Sequence, residues 1–366
     1  MPTRRALILA TAALTATRVV ASAASEPTYA EVLRRPLIFP RDHGAHPEYR
    51  TEWWYVTGWL DRPDPAPPIG FQITFFRART PIDASNPSAF AAKQLVIAHA
   101  AIADPLRGAL LHDQRIARTG FGAASASVED TALVLDRWQL TRSPQSGAYR
   151  ATIGARGFTL EFEALPTQPV LLQGDAGYSR KGPSEGHASH YYSQPQLSVR
   201  ARLTQGSTKE DITGHAWLDH EWSSTLLSEE AAGWDWIGMN LDDGSALTAF
   251  SIRRRLPNAS PRALYSYASL RPRGGAIQTF GPSDVRFSTL AEWTSPRTLA
   301  VWPISREIRI GDRTFTTEPL LSDQELDSRA TSGAVYWEGA SRLLERGRYV
   351  GRGYLEMTGY VTPLRL

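Results

Sequence analysis

The chain has 366 residues, no cysteine, and 40 basic against 37 acidic side chains, giving a formal net charge of +3 and a pI near 9.1. Zero cysteines exclude disulfides, iron–sulfur clusters, thiolate zinc sites and a cysteine nucleophile, so the fold must hold by burial alone. The basic pI carries no nucleic-acid reading, because losing Arg4, Arg5 and Arg18 with an export segment leaves 37 basic residues against 37 acidic ones.

Met1 to Ala23 reads as that export segment: Thr3-Arg4-Arg5 precedes an uncharged apolar run from Ala6 to Ala16, and the small-residue site Ala21-Ser22-Ala23 follows. Cleavage is expected after Ala23, delivering a periplasmic or secreted protein. The paired arginines suit the twin-arginine route, and Sec export fits as well. The apolar run is too short to span a bilayer, so the mature protein is expected to have no transmembrane segment. The roughly 340 mature residues exceed the usual size of one core and favour two domains.

In chain order, Tyr29–Arg34 is a short helical candidate, followed by alternating or aromatic runs at Trp53–Leu60, Phe71–Arg77, Ala132–Leu140 and Tyr149–Glu163. Asp242-Asp243-Gly244 is a hairpin signal, and Asp323–Ser328 is the other short helical candidate. Strands at this spacing predict an all-β fold of antiparallel sandwiches or barrels. Trp53-Trp54-Tyr55-Val56-Thr57-Gly58-Trp59-Leu60-Asp61 aligns without gaps on Trp234-Asp235-Trp236-Ile237-Gly238-Met239-Asn240-Leu241-Asp242, and Gly70–Phe76 aligns on Gly244–Phe250. Two strands repeated in order predict a duplicated barrel whose second copy starts near Gly233. Within the first of these strands, Trp53, Tyr55, Thr57 and Trp59 share one face while Trp54, Val56 and Gly58 share the other. Large side chains on both faces fit a strand whose outside packs on the other barrel, or tryptophans that plug the closed end of an ordinary one.

Chemistry is expected first in Gly214–Trp222, which gathers two histidines, two acids and two tryptophans. As a strand it would turn His215, Trp217, Asp219 and Glu221 one way, and His220 and Trp222 the other. His43, His46 and Glu48 read either as metal ligands or, more often for such a loop, as hydrogen-bonded groups. His187, His190, Tyr191 and Tyr192 fit a cavity mouth or packing between domains. Arg50 and Glu52 bracket the tryptophan strand, as one member of a buried ion pair or as solvated charges. No serine-hydrolase elbow, Walker loop, dinucleotide fingerprint or His-Glu-x-x-His is present.

The chain resembles the carotenoid 1,2-hydratase and AttH-like proteins. The resemblance rests on Phe39-Pro40-Arg41-Asp42-His43-Gly44-Ala45-His46, Arg50–Tyr55, Gly70-Phe71-Gln72, His99–Ile102, Gly186–Ser193, Gly214–Trp222, Trp234-Asp235-Trp236, Trp293–Pro296, Tyr336-Trp337-Glu338-Gly339 and Gly351–Tyr354. It implies two lipocalin-like antiparallel β-barrel domains in tandem, placed at 36–222 and 233–366. The barrels themselves run from about Arg50 to Arg202 and from about Gly233 to Val361, joined through Gly214–Trp222. It also implies an Asp-His-x-Trp functional unit, here Asp219, His220 and Trp222, in which proton delivery to an alkene creates a carbocation that aromatic faces stabilise. The hydratases are thought to carry their acid on a downstream strand, whereas Leu247–Ile252 here contains no carboxylate, so the acid roles pass to Asp219, Glu221 or Asp235. Trp53, Trp54, Tyr55, Trp217, Trp236, Tyr191 and Tyr192 are the expected ligand-binding residues for an apolar, isoprenoid or lipid-like molecule. No cofactor and no metal are expected. Three functions stay open: a hydro-lyase or related enzyme, a lipid carrier beside an export-type ABC transporter, and a structural envelope module.

Overall fold

The computed structural model describes residues 28–255 and 263–364, so the export segment expected at 1–23 lies outside the described residues. The fold is all-β, with two antiparallel sheets, the first nearly closed into a barrel and the second a half-barrel. At the centre of the first sheet, strand Thr51–Asp61 lies between Ile69–Arg79 and Thr208–Ser223. The sheet continues on one side through Gln94–Asp104 to Ala109–Arg118, and on the other through Ala188–Gln205 and Phe158–Pro166 to Ala124–Ala126.

The second sheet repeats this plan. Ala231–Leu241 lies between Ala246–Arg254 and the last strand, Arg348–Thr358, which leads on to Val335–Glu345. In both sheets the first long strand therefore pairs with its hairpin neighbour and with the sheet's last strand, so the two aligned strands take equivalent places. The hairpin in the second copy turns at Asp242-Asp243-Gly244, where Gly244 takes a φ of +84° that a side chain would resist.

Burial patterns separate two kinds of strand. Tyr149–Ala155 and Phe158–Pro166 alternate buried with exposed or half-exposed residues, as a sheet with one wet face must. Thr51–Asp61 and Val335–Glu345 are buried on both faces over most of their length. In the first, Trp54 and Val56 enter the barrel core while Tyr55 and Trp59 join a separate apolar cluster with Trp217, Trp236, Phe250 and Tyr354. That cluster is the seam between the sheets.

Several expectations need correction. Tyr29–Arg34 forms no helix and Asp323–Ser328 contains a short strand, Glu325–Asp327; the described helical turn is Arg41–His43. Gly214–Trp222 does not join two barrels: it lies inside Thr208–Ser223, at the heart of the first sheet, because its apolar residues find partners on both faces. The connection to the second sheet is the short segment after Ser223 and before Ala231.

Candidate functional site

Along Thr208–Ser223 the pleat sends Leu218 and Trp222 into the barrel core and turns Trp217, Asp219 and Glu221 toward the second sheet. There Asp219 and Glu221 border a cavity of about 300 Å³ at the seam. Trp53, Tyr55, Asp219, Glu221 and Tyr191 line it from the first sheet, Trp236, Phe250, Glu338 and Glu356 from the second. Lys181, the connecting residues Leu226 and Leu227, and the pair Glu52 and Arg77 also line it.

Cross-strand register organises these side chains into rows. Tyr55 pairs with Asp219 and Asp219 with Ser193; Trp53 pairs with Glu221 and Glu221 with Tyr191. Opposite them, Phe250, Trp236, Glu356 and Glu338 pair in sequence. Tyr55 and Trp236 occupy the same position in the duplicated strand, and their rings meet edge to face at 5.5 Å across the seam. Their neighbours on each sheet's last strand are Asp219 and Glu356, so the duplication supplies an acid from each half. Gly238 permits the arrangement, since a Cβ there would meet the Trp236 ring at 2.4 Å. The indole of Trp236 then donates to the Tyr191 hydroxyl at 3.1 Å.

The acids differ in charge state. Asp219 is buried, and its Oδ1 accepts from the Ser193 hydroxyl at 2.5 Å and the Trp217 indole at 2.8 Å. Burial outweighs those bonds and pushes its carboxyl up to about 7. Burial likewise raises Glu356 to about 8, and holds Glu338 well above the carboxylate range, with the charge of Glu356 adding to the effect. Glu221 is paired with the Lys181 ammonium at 3.1 Å. Near neutral pH burial thus favours the protonated forms of Glu338 and Glu356 and leaves Asp219 close to its midpoint, beside the ion pairs Lys181–Glu221 and Arg77–Glu52, an arrangement able to pass a proton to an apolar molecule.

His220 and Trp222 lie on the other side of the sheet. His220 Nε2 is 2.9 Å from Glu52 and its Nδ1 is 3.2 Å from the Tyr192 hydroxyl, while burial lowers the imidazole to about 4 and keeps it neutral. Trp54 stacks on His220 with centroids 4.4 Å apart, and Trp222 stacks on His46 at 3.8 Å. Glu52, not Arg50, forms the buried ion pair: Arg77 Nε lies 2.7 Å from it and His46 Nδ1 lies 2.7 Å away. Burial opposes the charge of Glu52, but hydrogen bonds from His220 and His46 and the charge of Arg77 hold its carboxyl well below the usual range. His46, Glu52 and His220 stand close enough to share a cation. Their separations are hydrogen-bond lengths, however, and Arg77 already supplies the positive charge, so the donor set fits a proton-bonded brace better than a metal. Glu48 is exposed and takes no part. Asp235 sits away from the cavity, bound to Arg253 at 3.1 Å, Arg306 at 3.0 Å and Tyr360 at 2.9 Å.

The structure therefore brings together Asp219, Glu221, Trp53, Tyr55, Tyr191 and Trp236, with Trp217 behind Asp219. It does not bring Trp54, Tyr192, His220, Trp222 or Asp235 to them. Lys181, Ser193, Glu338 and Glu356 were missed by sequence reasoning. For Glu338 a signal existed in its aromatic motif Tyr336–Gly339. For Glu356 it was the register of the last strand, which only pairing reveals.

These charge states predict an unusual pH dependence of stability. The neutral histidines His43, His190 and His220, held down by burial, bind protons only when unfolded between about pH 4 and 6.5, so their contribution to stability rises over that window. Asp219 and Glu356 do the reverse, keeping protons in the folded state that the unfolded chain has lost since about pH 4. Above pH 6.5 the histidine gain tails off while the folded acids still hold protons, so stability must fall toward pH 8. Urea midpoints measured from pH 4 to 9 are expected to peak near pH 6.5, and an Asp219→Asn variant to lose part of the alkaline decline. A level plateau from pH 6.5 to 8.5 would contradict the raised acids.

The family model described as AttH-like matches residues 31–360. A crystal structure described as an AttH from Nitrosomonas europaea is 49% identical and superposes with a TM-score of 0.84, covering 91% of this chain and 99% of that one. Kievitone hydratase from Nectria haematococca is 13% identical with a TM-score of 0.66, covering 92% and 97%. CghA, in a structure with Sch210972, is 12% identical with a TM-score of 0.55, covering 87% and 90%. The last two show a shared fold alone. No curated protein matches the chain.

Proposed function

The chain belongs to the AttH-like family, and from that premise we propose that it adds water to an apolar, isoprenoid or lipid-like alkene without a cofactor. The observation that carries this reading is Asp219, a carboxyl with its proton affinity raised to about 7 on the wall of an aromatic cavity. Its un-ionised form donates a proton to the less substituted alkene carbon. The cation left on the more substituted carbon is stabilised by the π faces of Tyr55, Tyr191 and Trp236 and by the surrounding carboxyls. Water adds to that carbon, and its surplus proton passes to a carboxylate of the cavity, from which Asp219 is recharged. Fold likeness to kievitone hydratase agrees with the reaction class but supplies no residue roles.

A second reading, a lipid carrier serving an export-type ABC transporter, is favoured by the mainly apolar lining of the same cavity. For either reading we place the protein outside the cytoplasm, on the strength of the Met1–Ala23 segment. Incubation with citronellol and with prenylated phenols in ¹⁸O-water separates the two functions. The hydratase is expected to yield tertiary alcohols carrying one ¹⁸O, detected by mass spectrometry and absent without protein. Recovery of tightly bound but unchanged alkene would support the carrier and sink the hydratase.

A further inference from the structure

The sequence holds only three lysines, Lys93, Lys181 and Lys209, the other 37 of its 40 basic residues being arginines. Arginine holds its charge at all relevant pH, whereas lysine can give up its proton and become a nucleophile. One of these rare lysines, Lys181, lies on the cavity wall, 6% exposed. Its Nζ stands 4.5 Å from the Tyr191 ring centre and 4.2 Å from that of Phe250, donates to the Ser179 hydroxyl at 3.1 Å, and has Glu221 Oε1 at 3.1 Å as its counter-charge. A charge that served only to bind Glu221 would be met as well by arginine, the residue this chain uses for its other buried ion pairs, Arg77–Glu52 and Arg253–Asp235 among them.

We propose that Lys181 captures apolar aldehydes or ketones in the seam cavity as a reversible imine. Glu221, at hydrogen-bond distance, accepts the ammonium proton, and the free amine adds to the carbonyl carbon. As the carbonyl oxygen takes a proton from a neighbouring carboxyl, the nitrogen returns one to the carboxylate so formed, giving a neutral carbinolamine. Glu221 then passes its proton to the carbinolamine hydroxyl, which leaves as water, and the protonated imine keeps the Glu221 carboxylate as its counter-ion. Atoms balance as amine plus carbonyl giving imine plus water, with no oxidant or reductant. Burial assists by lowering the lysine's proton affinity, while Glu221 and Asp219 work against that shift. The inference needs the cavity to admit an apolar ligand but not the hydration chemistry.

The test is reductive trapping of the intact folded protein with citronellal and sodium cyanoborohydride, followed by peptide mass mapping. Hydride reduction of the imine leaves a secondary amine heavier by the aldehyde less one oxygen atom. We expect Lys181 to be labelled at least about 10-fold faster than the more exposed Lys93 and Lys209, and glyceraldehyde, a polar aldehyde, to show no such preference. Lys181→Arg should abolish the adduct while keeping the ion pair. Glu221→Gln should slow its formation. Labelling confined to Lys93, Lys209 and the amino terminus, or equal labelling of all three lysines, overturns the proposal. The comparison lies within one wild-type molecule, so it stands even where a variant fails to fold. Turnover of citronellol to the ¹⁸O-alcohol, followed in parallel, shows separately whether hydration occurs.

Discussion

Asp219→Asn is expected, under the proposed hydration, to lower turnover by about 10²-fold or more, the usual scale for a lost general acid, while ligand affinity changes little. Asparagine keeps the shape and can still accept from Ser193 and Trp217, which bond to one oxygen of the native carboxyl. What it lacks is the transferable proton. Wild-type rates should fall as pH rises through about 7, because the reactive form is the un-ionised one and burial places its titration there. The residual rate of the variant should lose that limb. Single-turnover rates, binding isotherms and thermal melts together decide the matter. A stable Asp219→Asn protein with parental turnover would remove Asp219 from the mechanism.

Glu52→Gln should be the most destabilising polar substitution, by about 3–5 kcal/mol, the range for breaking a fully buried ion pair by removing one partner. Arg77 would be left 2% exposed without its carboxylate. The amide oxygen could still face the rings of His46 and His220, but the NH2 group would then meet the Arg77 guanidinium and the His46 backbone N–H, donor against donor. Paired replacement, Glu52→Met with Arg77→Met, should recover part of the loss, since no unpaired charge remains. Urea unfolding of the singles and the double provides the cycle. A change under about 1 kcal/mol for Glu52→Gln would show that the pair is solvated and that its depth in the barrel carries no cost.

How much of this was legible beforehand depended on periodicity. Alternation alone divided Trp53 and Tyr55 from Trp54, and Asp219 and Glu221 from His220 and Trp222, and the structure places those sets on opposite sides of the sheet. The repeat from Trp53 to Asp61 predicted the doubled topology. The resemblance that joined Asp219, His220 and Trp222 into one functional unit ran along the chain, whereas a strand's pleat separates neighbours, and only Asp219 reaches the cavity. Glu338, Glu356 and Lys181 were hidden for another reason. A cavity between sheets is assembled from residues more than 100 positions from Asp219 as well as from its neighbours, and no single-strand pattern encodes which faces will meet. Arg77, the partner of Glu52, came from the next strand, where cross-strand register sets the contact.

The seam has a thermodynamic corollary. Its walls belong half to one sheet and half to the other, so the binding space exists only while the two are docked. A molecule held there acts as mortar, and its affinity for the intact protein is also free energy that opposes their separation. Whatever loosens the contact of Tyr55 with Trp236 would weaken retention at the same time. The shared wall makes cargo and cohesion two measurements of a single equilibrium, in a protein with no disulfide to hold its halves together.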